Sequence, residues 1–282
     1  MNALHCLIVC RAESKRVMRG KRGLVLAALY LGFYLFWGNI LAKILSGAQD
    51  TFHLSVSFLG FGSGNEAPSL FDLLGQGAGG ELAGAMAGVP ATALFFLVTS
   101  YLSLPLLATL MAYDSIADDL RSGSIRYTLT RCGRTSYLAG KALGQIALLS
   151  MLTGACAMAM LALGAIREVE PGWIATLPHI FRYWFVGIVF GSVFVGAAIL
   201  ISTVASSPGT ALLFGVLSLV FGFLVWIAGP EAVSFDFSLL APYAHWRRLL
   251  IPDQVVGGTA IHAAFALGLL GAAAVALERR DV

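Results

Sequence analysis

Charge is what this sequence has least of. Only 12% of its 282 residues are Asp, Glu, Lys or Arg, about half the share with which a water-soluble domain coats its surface. Hydrophobic residues make up 58% and the mean hydropathy is +0.84, so a soluble body of this size and a disordered chain are both excluded. Cysteine is scarce too, and 4 residues cannot form a small disulfide scaffold. Cys6, Cys10 and Cys132 are expected on the reducing side of a membrane and Cys156 within a span, so no disulfide is expected. Metal-ligand spacing is missing: His5, His53, His179, His245 and His262 are scattered and no H-E-x-x-H occurs. A phosphate-binding loop, G-x-x-x-x-G-K-[ST], is missing as well. The Gly140-Lys141 pair is followed by Ala142, and Thr135 stands where the first Gly belongs. ATP binding by this chain alone is therefore not expected, and no cofactor is expected on it.

What is present is length in apolar runs. About 20 apolar residues are needed to cross the hydrocarbon of a bilayer as a helix. Six stretches qualify: 24–42, 89–111, 142–166, 181–204, 210–227 and 259–277. Arg182, at the edge of the fourth, is the one charge they contain, and Pro105 interrupts the second. The fold class is thus all-α integral membrane, a single domain of six transmembrane helices over 1–282. Small residues recur at four-residue spacing, in Gly140/Gly144, Gly187/Gly191, Ser192/Gly196 and Gly268/Ala272, a spacing that lets helices approach closely in lipid. These pairs are expected to pack the subunit internally, with one of them available to a dimer.

Orientation follows from the basic residues near helix ends. Arg11, Lys15, Arg16, Arg19, Lys21 and Arg22 precede the first span. Arg121, Arg126, Arg131, Arg134 and Lys141 follow the second, and Arg279 and Arg280 close the sequence. Thirteen of the 18 cations fall on one side if six helices alternate, which puts both termini in the cytoplasm and asks for no nucleic-acid partner. The 19-residue apolar run 24–42 exceeds a signal-peptide core, so no cleavage is expected at the faint pattern Leu45-Ser46-Gly47-Ala48 and the run is read as a retained span.

Four segments lie between or beside the spans. Residues 1–22 can put Leu7, Cys10, Val17 and Met18 on one helical face and Arg11, Lys15 and Arg19 on another, the pattern of an interfacial helix in the headgroup layer, in contact with membrane lipid. Residues 43–88 form a long, acidic, Gly-rich outer loop. Residues 112–141 form a cytoplasmic loop with the densest charge in the chain. Residues 229–256 mix aromatics with Pro230, Pro242 and Pro252, which fits short helices dipping into the outer leaflet as a half-buried loop, with Tyr243 and Trp246 at the headgroup level. Between the fourth and fifth spans, Ser206-Ser207-Pro208-Gly209 reads as a tight turn.

Two enzymatic patterns were weighed. Asp114 and Asp118 share a helical face in a D-x-x-x-D spacing that could hold magnesium diphosphate in a prenyltransferase. The second acidic motif such an enzyme needs is missing, and Asp114, Asp118 and Asp119 also suit the start of a helix, where the dipole favours negative charge. Gly62-Ser63-Gly64 is similar to the serine motif of an intramembrane protease. Ser63, however, lies in the outer loop, and His262 has no acidic neighbour in sequence.

The run from Asp114 through Gly123-Ser124 to Arg134 and Gly140-Lys141 resembles the first cytoplasmic loop of ABC-2 type transporter permeases. Asp119 stands at the family's acidic position four residues before its Gly-Thr pair, here Gly123-Ser124. Arg134 and Gly140-Lys141 match the Arg and the Gly-Lys that lead into the third span, and Cys132 replaces the usual Pro. The tail from Leu277 through Arg279 and Arg280 is similar to the family's common ending. The resemblance implies an exporter-type fold in which residues 112–141 carry a coupling helix. It implies that Asp114, Asp118, Asp119, Arg121, Gly123, Ser124, Arg126 and Arg134 serve coupling to a separate ABC ATPase subunit, present in two copies. Those subunits would hold ATP and Mg. It implies a second permease subunit, identical or paralogous, in the bacterial inner membrane. No ionisable residue lies mid-span, which disfavours ion coupling and points to an apolar or amphipathic exported cargo: lipid, peptide or antibiotic. A second reading within the class resembles the permease that serves maturation of a periplasmic copper enzyme.

Overall fold

The computed structural model describes residues 3–47, 89–166, 172–228 and 242–280, and every regular element among them is helical. In chain order the helices are α1 (Ala3–Arg19), α2 (Lys21–Gly47), α3 (Ala91–Ala112), α4 (Ala117–Ser122), α5 (Ser124–Leu129), α6 (Arg134–Ile166), α7 (Trp173–Val204), α8 (Pro208–Ala228), α9 (Trp246–Leu250) and α10 (Val255–Glu278). Two 3-10 turns, Pro242–His245 and Pro252–Gln254, flank α9. Most of the outer loop 43–88, with its Gly62-Ser63-Gly64 motif, and residues 229–241 of the outer segment lie outside the described residues.

Among the described residues, 5 helices are long and apolar enough to cross a membrane, namely α2, α3, α6, α7 and α10. The expected span 210–227 coincides with α8, whose apolar part Pro208–Gly222 is shorter. Its start follows the expected turn: Pro208 opens the helix, and the Ser207 hydroxyl accepts from the Thr210 amide at 3.2 Å. Two spans start earlier than their apolar runs. The 33 residues of α6 measure about 50 Å at 1.5 Å per residue, against about 30 Å of hydrocarbon, so its first turns stand clear of the bilayer core. The helix α7 begins at Trp173. Arg182 is therefore inside it, and its guanidinium donates to the Leu250 carbonyl at the end of α9, where the helix dipole favours a cation.

The bundle is assembled around α7, which packs against α3, α6, α8 and α10. Gly191 lies against Leu149 of α6, and Gly196 against the Ala266 carbonyl of α10. Tyr101 of α3 stacks on Phe190 of α7 with ring centroids 4.0 Å apart, and Trp246 closes over Tyr101 at 4.7 Å. Trp246 is thus buried in the bundle rather than at the headgroup level, because a neighbouring ring offers it more contact than an interface would. Between α2 and α3 a hydroxyl ladder runs beside the ring contact of Tyr34 with Phe96. Tyr34 and Ser100 hydroxyls meet at 2.8 Å, and Tyr30 and Ser103 at 3.0 Å. Each such interhelical bond contributes roughly 0.6–2 kcal/mol in lipid.

Where an interfacial helix was expected at the N-terminus the structure has the helix α1, and a second face of it packs on the bundle. Cys6, Val9 and Glu13 are buried, whereas Leu7 and Met18 are 63% and 50% exposed. The reason is the surface opposite. A Cβ on Gly140 would lie 2.6 Å from the Val9 Cβ, and one on Gly144 would lie 3.0 Å from the Glu13 Cβ. The Gly140/Gly144 pair therefore seats α1 flat along the start of α6, and only the 6–9–13 row of α1 fits that groove. The Gly268/Ala272 pair differs, since nothing lies within 4 Å of where a Gly268 Cβ would be.

This packing makes a contrast that thermal unfolding in detergent can read. Gly140→Val should lower stability by about 1–3 kcal/mol through overpacking and release α1 to limited proteolysis. Gly268→Ala should do neither.

Candidate partner interface and its buried ion cluster

The charged loop after α3 turns back at once. The amides of Ile116 and Ala117 both donate to the Ser202 hydroxyl of α7, at 3.0 and 2.9 Å. Ser202 is fully buried and does from a distant helix what an N-cap does locally, fastening the start of α4 to the bundle. The helix α4 lasts 6 residues and ends at Gly123, whose φ of 72° lies in the left-handed region. The next residue starts α5, so the expected coupling helix is two short helices bent at Gly123.

Asp119 stands on the inward side of α4. Its Oδ2 accepts from the Tyr137 hydroxyl at 2.6 Å and pairs with the Lys141 ammonium at 2.8 Å. Its Oδ1 accepts from the Ser124 hydroxyl at 3.1 Å. Lys141, 5% exposed, reaches Glu13 Oε2 of α1 at 2.6 Å on its other side. Glu13 Oε1 accepts from Gln145 at 2.8 Å and from Arg16 at 3.0 Å. Arg16 also faces Asp114 at 3.8 Å and Asp118 at 3.5 Å. The α1 helix, the α4 turn and the first turns of α6 are thereby joined through one cluster in which Lys141 bridges two carboxylates. Burial pushes the Asp119 carboxyl up, but Lys141, the Tyr137 hydroxyl and Arg16 outweigh it and hold the group below the usual carboxylate range.

The residues expected to serve coupling divide into three groups. Asp119, Gly123 and Ser124 come together at the bend. Asp114 and Asp118 are drawn towards Arg16, and Asp118 also accepts from Arg121 at 3.3 Å. Arg126 stays exposed on α5. Arg134 lies apart from both, capping another helix: its guanidinium donates to the carbonyls of Leu277 and Glu278, at 3.3 and 3.0 Å. Arg280 does the same for the end of α7, donating to the carbonyls of Val204 and Ala205. Both arginines meet the negative ends of helix dipoles. The D-x-x-x-D pair therefore faces a guanidinium, an arrangement that leaves little negative field for a magnesium ion.

Sequence reasoning missed Glu13, Arg16, Gln145 and Ser202 and gave Tyr137 no role. Two signals could have found most of them. Glu13 is the lone acid before Asp50, set among six cations. Tyr137, Lys141 and Gln145 form a polar row at four-residue spacing on one face of an otherwise apolar helix. Nothing in the sequence marks Ser202, because its role is defined by a contact 86 residues away.

Removing one member of a buried ion cluster leaves its partners without compensation, at a cost of roughly 3–5 kcal/mol. Lys141→Met should show that loss in a thermal or denaturant unfolding curve, and the double variant Lys141→Met with Glu13→Gln should recover part of it. The Asp119 contribution is present at neutral pH and disappears as pH falls below about 4, the ordinary carboxylate value, through the depressed native one. An acid titration of stability should lose part of that limb in Asp119→Asn, and an unchanged limb would remove Asp119 from the cluster.

Comparison with known proteins follows the same geometry. The family model described as "ABC-2 family transporter protein" matches residues 7–277, from the middle of α1 to the end of α10. The chain is 33% identical over 142 residues to the "Probable ABC transporter permease protein NosY" of Pseudomonas aeruginosa. That match spans 49% of this chain and 50% of the relative, so it covers about half the relative's length. With its apolar helices and a family match over nearly its whole length, the chain is a multi-pass membrane protein that belongs to the ABC-2 family of transporter proteins.

Proposed function

We propose that the chain is the transmembrane permease subunit of an ABC-2 type ATP-driven transporter, without catalysis of its own. One observation carries this reading. The segment from Asp114 to Arg134 holds Asp119 inward in the ion cluster, draws Asp114 and Asp118 to Arg16, and leaves Arg126 and Arg131 outward beyond the Gly123 bend. Such a segment suits docking on a separate ABC ATPase, one copy per permease, that holds ATP and Mg. The chain's lack of a phosphate loop is consistent with that partner. The name of the relative, an ABC transporter permease, supports the same class.

The architecture proposed is six spans, with α8 as the fifth, in a bacterial inner membrane with both termini cytoplasmic. Two permeases, identical or paralogous, enclose the path of an exported apolar or amphipathic cargo such as a lipid, peptide or antibiotic. The helix α8 supports such a pairing. Leu213, Phe214, Leu217, Val220, Phe221 and Leu224 form an exposed stripe on it, while α3 exposes little beyond Leu102 and Leu106. The path is accordingly assigned chiefly to α8, with α3 behind it. Rigid-body rotation of the ATPases would reach the spans through the bend at Gly123 and the clusters on either side of it.

The test is ATP turnover by the permease–ATPase complex in nanodiscs, sensitive to vanadate. Gly123→Val should abolish the stimulation that the permease confers while leaving its membrane level unchanged. The substitution meets no atom within 4 Å but imposes about 1–2 kcal/mol of left-handed backbone strain on the bend. Stimulation unaltered by Gly123→Val would overturn the coupling assignment. A Cys at position 65 should be labelled only from outside, and labelling from the cytoplasm would reverse the topology.

A further inference from the structure

Tyr127 is 79% exposed, the most exposed aromatic ring among the described residues and one that no sequence motif singled out. It sits on α5, just past the Gly123 bend. Its hydroxyl has no hydrogen-bond partner among the described residues. It borders a cleft of about 710 Å³ between α4 and α5, with Leu120, Gly123 and Ile125 in its lining and Arg121 and Arg126 at its sides. Arg126 and Arg131 are exposed and carry no ion pair among the described residues. No acidic residue occurs between Asp119 and Glu168, and Asp118 is matched by Arg121, so Arg126 and Arg131 give the tip a net positive field. Asp119 is turned away from it into the Lys141 contact, and Asp114 and Asp118 reach Arg16, Asp118 also pairing with Arg121.

We propose that Tyr127 is the anchor by which this bend docks on its ABC ATPase, inserting its ring into an apolar socket with an acidic rim that pairs with Arg126 and Arg131. The proposal rests on the permease reading and specifies the partner's surface. An exposed ring flanked by arginines beside a concave cleft is the composition of a protein-binding hot spot. A lipid surface is the other possible occupant of a basic tip, but an interfacial segment binds lipid through a contiguous apolar face. This chain has exposed apolar residues of that kind on α1, at Leu4, Leu7 and Ile8. On α5, Tyr127 is a single ring beside exposed Arg126, with exposed Thr130 and Arg131 just beyond.

The experiment measures binding of the purified ABC ATPase subunit of the same transporter to the full-length chain in nanodiscs. Tyr127→Ala should weaken binding about 30-fold, the loss of a hot-spot side chain, whereas Tyr127→Phe, which keeps the ring, should stay within threefold. Arg126→Glu with Arg131→Glu should weaken binding and flatten its dependence on salt. Exposure of these side chains means that their replacement should leave the unfolding temperature unchanged. A photoreactive benzoylphenylalanine at position 127 should cross-link to the ATPase chain. If the wild-type chain binds the ATPase but Tyr127→Ala loses less than fivefold, the anchor is overturned and the permease reading stands. A photoproduct with lipid alone overturns the anchor in favour of a membrane contact. If the wild-type chain binds no ABC ATPase, the permease reading falls and the anchor with it.

Discussion

A lysine ammonium removed from water must be neutralised, and the position of Lys141 makes that requirement structural. It is 5% exposed on a helix otherwise built for lipid, and two carboxylates reach it from two other elements. Glu13 brings α1, and Asp119 brings α4. If either is displaced, the balance of buried charge is lost and the cluster is destabilised. Such a cluster contributes little to net stability compared with an apolar replacement. What it does is tie the arrangement of the three elements to a single solution. The glycines beside it allow the required closeness, since Gly140 and Gly144 let the α1 backbone lie against α6.

The charged loop consequently has two sides with different chemistry. Asp119 is spent inward on Lys141, Asp114 and Asp118 reach Arg16, and Arg126, Arg131 and Tyr127 are left outward. The division explains why a loop with as many acids as this one still presents a positive tip. It also explains how a bend of two helices of 6 residues each can be rigid. Ser202 fixes the start of α4 to α7, Asp119 fixes its middle to α6, and Asp118 reaches Arg16 of α1. A force applied at the bend would therefore be delivered to three long helices or their extensions at once.

Much of this was legible in the sequence, and the pattern of what was not is informative. Apolar run length identified the positions of the long helices, because the bilayer enforces it residue by residue. It did not identify where α6 and α7 begin, because helices continue past the hydrocarbon wherever tertiary contacts support them, as Lys141 and Arg182 show. The Asp119–Gly123–Ser124 motif was legible as a unit, and the three residues do meet. The lipid-side face of α1, with Leu7 and Met18, was legible from hydrophobicity, but its opposite face was not, because the groove over Gly140 and Gly144 is what selects Cys6, Val9 and Glu13. Arg134 was grouped with the coupling residues because it matches the family's Arg, and the sequence did not show that its contact is with the end of α10.

The two capping arginines place the cytoplasmic ends of the bundle in a closed circuit. Arg134 opens α6 and holds the end of α10, Arg280 follows α10 and holds the end of α7, and Ser202 near the end of α7 holds α4. Through Asp119 and Lys141 the chain of contacts returns to α6. Displacement of any one of these helix ends relative to the others must break a bond to a backbone carbonyl, an amide or a carboxylate. On this side of the protein, helices can tilt about their ends more readily than they can slide past one another.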